Sequence, residues 1–381
     1  MALFNAIRKR KCGALSVLLA LLVLLTASCA GDAQESSASG ELSGSVPADY
    51  SDVPLPSGFE YESSEEPAPP APDMSTEDNM LLLEDTDETY ACRQLFAWSS
   101  NAGVLLRKGS RTEQIFPASL TKLVTALVAL EHADPETECT AGDELSLVAS
   151  GSSIAYIPKG SRSTLGMLLE GLLLPSGCDA AFVIAANVGR IIKPDTPNAV
   201  TAVSVFVQEM NDWSKAHGIV HSNWMNPDGN HHDLHYTCLE DMMRVGELVL
   251  ASPEILKYTR IGKEHTNLLS GEGNTWTNTN HYVNPESKYY DPACFGLKTG
   301  QTSEAGGCLM TAFQYGDEVV LIGIFGSGTR DARFDVTDQV LSFVKTVRGI
   351  GGADQTETSA ETSMDASMDA SMDASMELSA A

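Results

Sequence analysis

A serine and a lysine three residues apart, Ser119 and Lys122, follow Pro117-Ala118 and open the apolar run Leu123-Val124-Thr125-Ala126-Leu127. On a helix this spacing puts both side chains on one face, about one turn apart. Burial disfavours the charged form of an amine, so a lysine held there out of water can take the proton of the serine hydroxyl. The result is a nucleophilic serine at a helix start, where free N–H groups and the helix dipole favour a developing oxyanion. Alone the spacing is weak, because a helix cap followed by a solvated lysine satisfies it equally.

Two further elements follow in order: Pro175-Ser176-Gly177-Cys178-Asp179, then Gly296-Leu297-Lys298-Thr299-Gly300-Gln301-Thr302. SxxK, an S-x-N-like element and KTG in that order are the signature shared by penicillin-binding proteins and serine β-lactamases. The stretches PASLTK, LLLPSGCDAA, NPDGNHHDLHYT and GLKTGQTSEAGG together closely resemble the D-alanyl-D-alanine carboxypeptidases, the low-molecular-weight penicillin-binding proteins. The resemblance runs from about Tyr90 to Val347.

The resemblance implies a role for each motif. Ser119 is the nucleophile and Lys122 the base for acylation. Ser176 bridges the proton path toward the leaving amine; the structural alternative is an N-cap of the helix beginning near Asp179, and both can hold. Lys298 puts a cation near the nucleophile, where it can bind the substrate's terminal carboxylate and disfavour a second ammonium beside it. Thr299 can hydrogen-bond that carboxylate, and Gly300 lets substrate backbone approach a strand edge. The N–H groups of Ser119 and Gln301 would form the oxyanion hole. A surface Lys-Thr-Gly turn is the bland reading of the third motif. No cofactor or metal is implied.

Cys178 departs from the pattern, which usually has asparagine there. An amide donates and accepts, whereas a thiol does both weakly. Substrate positioning should suffer, although every proton-transfer group is retained. A thiol this close to a lysine could also be reactive. The cluster His231, His232, Asp233 and His235 has spacings that could suit zinc on a helix. It follows the turn Asn226-Pro227-Asp228-Gly229, so a structural, cleft-lining role is the favoured reading.

Three functional hypotheses arise. The first is a serine D-Ala-D-Ala carboxypeptidase acting on peptidoglycan stem pentapeptides and acylated by β-lactams. The second, motivated by Cys178, is a catalytically impaired peptidoglycan- or β-lactam-binding module. The third, a class A β-lactamase, needs a deacylating glutamate in an E-x-x-L-N-like run, and none occurs between Cys178 and Lys298.

Residues 1–29 read as a signal: basic Arg8-Lys9-Arg10-Lys11, a short apolar stretch from Gly13 to Leu25, then Thr26-Ala27-Ser28-Cys29. This resembles a lipoprotein signal with Cys29 acylated, although threonine stands where leucine is usual. Ordinary cleavage and an uncleaved anchor are the alternatives. All three place the chain outside the cytoplasmic membrane, tethered to the envelope in two of them.

The formal charge is −27. Sixteen acidic residues and no Lys or Arg lie between Gly31 and Cys92, and seven acids and no bases follow Arg348. Between Arg93 and Arg348 there are 20 basic and 28 acidic residues, so nucleic acid is excluded as a partner for want of a basic face. Residues 30–88, rich in Ser, Pro and acids, are expected to be a disordered linker whose one apolar cluster, Met80-Leu81-Leu82-Leu83, could dock on the catalytic domain. Residues 349–381, with three Ser-Met-Asp-Ala repeats, are expected to be a disordered tail. The separate β-rich domain usual in the family is not expected after residue 348. Cys92, Cys139, Cys178, Cys238, Cys294 and Cys308 form no CxxC pair; isolated buried thiols are at least as expected as bridges.

Residues 89–348 should form the catalytic domain, a mixed α/β penicillin-binding fold. An antiparallel sheet flanked by helices would lie beside a helical subdomain. Strands are expected at Arg93–Trp98, Gly103–Lys108, Phe295–Thr299, Cys308–Ala312 and Val319–Phe325. Helices are expected at Lys122–His132, Thr164–Leu174, Asp179–Val188, Val203–His217, Glu240–Ala251 and Asp331–Val347.

Overall fold

Both faces of the central sheet are buried, which is why its strands read as nearly continuous apolar runs. In the computed structural model, which describes residues 81–83 and 89–351, six strands lie in the order β1-β3-β2-β10-β9-β8. They are β1 (Leu81–Leu83), β2 (Gln94–Ser99), β3 (Gly103–Lys108), β8 (Lys298–Thr302), β9 (Gly306–Tyr315) and β10 (Glu318–Ser327). Every pair is antiparallel except β1 with β3, which is parallel. The sheet therefore begins inside the stretch expected to be linker: Leu81-Leu82-Leu83 docks as an edge strand.

Alternate residues feed two cores. Phe96, Met310, Leu321 and Phe325 face the larger helical side. Leu95, Ala97, Phe313, Ile322 and Ile324 face the closing helix, α7 (Ala332–Arg348), with its Phe334, Val340 and Val344. This is the period of two expected of strands sandwiched between helices.

The helical side holds α1 (Thr121–His132), α2 (Leu165–Leu173), α3 (Cys178–Ile192), α4 (Ala199–Ala216), α5 (Leu239–Leu250) and α6 (Pro253–Thr259). Helix α1 is buried over most of its length, as its all-round apolar sequence requires. Side chains cap the neighbours: Thr164 accepts from Met167 N, Asn198 from Thr201 N, and Ser252 from Ile255 N ahead of Pro253.

Two small hairpins complete the fold: β4 (Glu138–Thr140) with β5 (Arg162–Thr164), and β6 (Lys263–Asn267) with β7 (Gly273–Thr277). Neither was expected, nor was α6. The β6–β7 pair is polar and mostly exposed; Thr266 and Trp276 are its buried side chains, so it carries little alternation to detect. Strand β8 starts at Lys298 rather than Phe295, because Gly296 and Leu297 both take positive φ and break the extended chain. All six cysteines of the described residues are free and buried. The proposed signal with Cys29, most of the linker and the Ser-Met-Asp-Ala tail lie outside the described residues.

Candidate active site

Ser119 sits in a 3-10 turn, Ala118–Leu120, that runs straight into α1. One turn on, the fully buried Lys122 donates from Nζ to Ser119 Oγ at 3.0 Å. The same nitrogen donates to the Asp228 carbonyl at 2.6 Å and to Cys178 Sγ at 3.4 Å. Three acceptors match the three protons of an ammonium. As a neutral amine the group keeps two of these bonds and turns its lone pair to the serine hydroxyl.

The second motif reaches this point through α3. Its N-cap is Gly177 and makes no side-chain capping bond, so Ser176 is not the cap. Ser176 instead takes φ 65° and lines the cleft, while its carbonyl accepts from Ser153 Oγ at 2.8 Å. Asp179, in the first turn of α3, accepts from Ala155 N at 2.7 Å and Ile157 N at 3.0 Å. It thereby fixes the loop whose Ser150–Ser153 form one cleft wall.

The third motif is edge strand β8, which passes beside the serine turn. A β-carbon at Gly300 would stand 3.0 Å from Ala118 Cβ and 3.1 Å from Ser119 N, so glycine allows this approach. Thr299, Gly300 and Gln301 line the cleft. Thr299 Oγ1 donates to Thr279 Oγ1 at 2.7 Å. Lys298 is fully buried behind them, and its Nζ donates to the Thr299 carbonyl at 2.9 Å. Burial first, then the charges of Lys122 and Arg333, hold its ammonium well below the usual lysine range.

Among the described residues four non-glycine residues take positive φ; three mark the three motifs, Ala118 just before Ser119, Ser176 itself, and Leu297 just before Lys298, and the fourth is Tyr156. Strained backbone persists only where surrounding contacts over-determine it, and it concentrates at functional sites.

The cleft has a volume of about 570 Å³. Two further groups border it; Arg333 was missed from sequence, whereas the Asn226–Asn230 loop was quoted there without a contact assigned to it. Arg333, in the first turn of α7, is 3% exposed and donates from Nη1 to the Gly300 carbonyl at 2.8 Å, while its Nε has no hydrogen-bond partner. Burial lowers its pKa to about 10, which leaves it charged at neutral pH. A cation in a helix's first turn opposes the dipole, and that was the available signal that something else holds it. The other is the Asn226–Asn230 loop. Thr125 Oγ1 of α1 donates to the Pro227 carbonyl at 2.6 Å, and Asn226 Oδ1 accepts from Gly229 N at 2.8 Å.

The histidines divide. His231 lines the cleft, edge-on to Phe116. His235 is buried and accepts at Nδ1 from Met225 N at 3.0 Å. The proton of the neutral ring is therefore on Nε2, 2.8 Å from Thr121 Oγ1, and that hydroxyl donates to the Ala118 carbonyl at 2.8 Å. Among the described residues no group of three or more His, Cys, Asp or Glu is placed to hold a metal ion.

The family model of D-alanyl-D-alanine carboxypeptidases, peptidase family S11, matches residues 84–327. The chain belongs to this family. It is 26% identical over 247 residues to D-alanyl-D-alanine carboxypeptidase DacF of Bacillus subtilis, covering 64% of this chain but 59% of that protein. It is 24% identical over 267 residues to a D-alanyl-D-alanine carboxypeptidase of Streptomyces sp. K15, covering 68% and 88%. The fold matches the crystal structure of the Streptomyces K15 DD-transpeptidase with a TM-score of 0.60 at 24% identity, covering 68% of this chain and 98% of that one. It also matches penicillin-binding protein D2 of Listeria monocytogenes in its ampicillin-bound form, with a TM-score of 0.54 at 21% identity, covering 67% and 98%.

Proposed function

We propose that the chain is a serine D-Ala-D-Ala carboxypeptidase that removes the terminal D-alanine from peptidoglycan stem pentapeptides, and that β-lactams acylate the same serine. The observation that carries this reading is the 3.0 Å contact between the buried Lys122 Nζ and the Oγ of Ser119, which lines the cleft. Lys122 takes the hydroxyl proton as Oγ attacks the penultimate carbonyl. The backbone N–H groups of Ser119 and Gln301 receive the oxyanion. Ser176 passes the proton to the leaving D-alanine, and water then hydrolyses the acyl-enzyme. Substrate backbone lies along the open edge of β8. The terminal carboxylate meets Thr299 and the Arg333 guanidinium, with the Lys298 charge behind the strand.

Family membership supports a place in the cell envelope. A tether through Cys29 or the signal segment is part of the same proposal; among the described residues no helix is long and apolar enough to cross a membrane.

The test pairs labelling by a fluorescent penicillin with D-alanine release from a model pentapeptide, on the parent and on Ser119→Ala. Both signals should vanish in the variant while the thermal midpoint stays within a few degrees. Labelling without release in the parent would favour the impaired binding module that Cys178 suggests. Rapid turnover of the penicillin would favour a β-lactamase.

A further inference from the structure

We propose that Glu304 sets substrate preference at the acyl end of the cleft: its carboxylate receives a side-chain ammonium on the residue that precedes the D-alanine pair. The favoured stem peptides are then those whose third residue keeps a free side-chain amine. This rests on the carboxypeptidase reading above, which fixes the direction in which substrate lies.

The direction follows from β8. In that reading the terminal carboxylate meets Thr299 and the oxyanion meets Gln301 N. From its C-terminus to the scissile carbonyl, the substrate therefore passes along β8 toward higher residue numbers. Its acyl half continues past Gln301 toward Thr302, Ser303 and Glu304, and all three line the cleft. Strand β8 ends at Thr302, so Glu304 stands just beyond it. Three residues separate Glu304 from the oxyanion donor, at most about 11 Å of chain. The flexible four-carbon stem of a lysine-like side chain on the next substrate residue covers that range.

The carboxylate waiting there is not consumed by the protein. The Glu304 side chain is 42% exposed, and its ion pair among the described residues is with His231 Nδ1 at 4.0 Å. That is too long for a hydrogen bond, and Nδ1 has no hydrogen-bond partner. Arg93 donates from Nη1 at 3.0 Å, but to the Glu304 backbone carbonyl. This holds the residue in place and leaves its side chain free for a ligand. The cations that line the cleft are Arg330 and Arg333, and among the described residues neither forms an ion pair with Glu304. Asp228, the other carboxylate lining the cleft, is 1% exposed and out of reach of a solvated ammonium.

The surroundings suit an amphipathic side chain. His231 lines the cleft beside Glu304 and stands edge-on to Phe116, with ring centroids 4.7 Å apart. Methylenes of a long stem can lie against the imidazole while the ammonium at its tip reaches the carboxylate in water. A shorter or neutral side chain would forgo the second contact.

The experiment compares two peptides that differ only in that amine, Nα-acetyl-Lys-D-Ala-D-Ala and its Nε-acetylated form, on the full chain. The ratio of their kcat/KM values isolates the ammonium. The parent should prefer the free amine by up to about fivefold at low salt, as expected of a partly exposed ion pair, and the preference should shrink in high salt. Glu304→Gln should bring the ratio to about one, and Glu304→Lys should invert it. A parent ratio of one or below, or a ratio that Glu304→Gln leaves unchanged, would overturn the proposal. Calorimetric binding of the same two peptides to Ser119→Ala protein, with and without Glu304→Gln, reads the same preference without turnover and is judged by the same criteria. Absent D-alanine release beside a preserved binding preference would therefore sink the carboxypeptidase reading and leave the Glu304 contact standing.

Discussion

The carbonyl of Ala118 rests directly on the α-carbon of Gly229: a β-carbon at residue 229 would fall 2.0 Å from the carbonyl oxygen and 3.0 Å from Ser119 N. Gly229 also takes φ +80°. The turn that carries Ser119 is thus wedged between two glycines, Gly229 on one side and Gly300 of β8 on the other.

Gly229→Ala should therefore push the serine turn away from Lys122. Strain at such a φ and displacement of backbone each cost about 1–3 kcal/mol. The second-order rate of penicillin acylation should fall at least about tenfold, with a lower thermal midpoint. An acylation rate within twofold of the parent would mean that the contact does not set the geometry of Ser119.

Arg333 and Lys298 differ in what they can reach. Arg333 lines the cleft and Lys298 does not. Arg333→Gln should cost a carboxylate-bearing substrate about 1.5–3 kcal/mol in kcat/KM, roughly 10–150-fold, and an analogue without the carboxylate much less. Lys298→Ala should weaken both substrates, with the larger loss for the carboxylate. Equal losses for both substrates in Arg333→Gln would remove its anchoring role.

His235 makes the site acid-sensitive. Burial, and then His232, His231 and Lys122, lower its imidazole from the ordinary 6.5 to about 3. The unfolded chain therefore binds a proton that the folded chain refuses between those values. The stability this site contributes is complete above about pH 6.5 and falls as pH drops toward 3, by up to about 1.4 kcal/mol per unit. His235→Gln can still accept from Met225 N and donate to Thr121. Urea midpoints at pH 7 and 5 should differ less for this variant than for the parent. Identical differences would show that the acid loss arises elsewhere.

Cys178→Asn should accelerate acylation without changing which peptide is cut. One restored neutral hydrogen bond to substrate is worth about 0.5–1.5 kcal/mol, up to about tenfold. Stopped-flow acylation of the two proteins decides this, and a slower variant would mean the cleft has adapted to the smaller thiol.

The motif residues that the fold brings together at the cleft were legible because each motif is local. Ser119 with Lys122 is one turn of helix, and Ser176 with Cys178 and Lys298 to Gln301 are short contiguous elements. The long apolar strands and helices were legible for the same reason, since period and length are properties of one segment. What stayed hidden depends on contacts between distant segments. Arg333 joins the site through the Gly300 carbonyl, 33 residues away in sequence. Asp179 fixes a loop more than 20 residues before it. His235 reaches Thr121 across 114 residues, and nothing in the spacing of the histidines announces it. The β6–β7 hairpin escaped because its side chains are mostly polar on both faces.

The strand formed by Leu81–Leu83 has a consequence for solubility. A sheet with two open edges offers two templates on which copies of itself can stack. Here one edge, β8, borders the cleft, and the other would be the full length of β3. The three residues of β1 cover part of β3 and replace it with a short, parallel border, a poor surface for further strands. A chain begun after residue 83 would keep all three motifs yet bare that edge. Its failure, when it came, would be precipitation at high concentration rather than loss of chemistry.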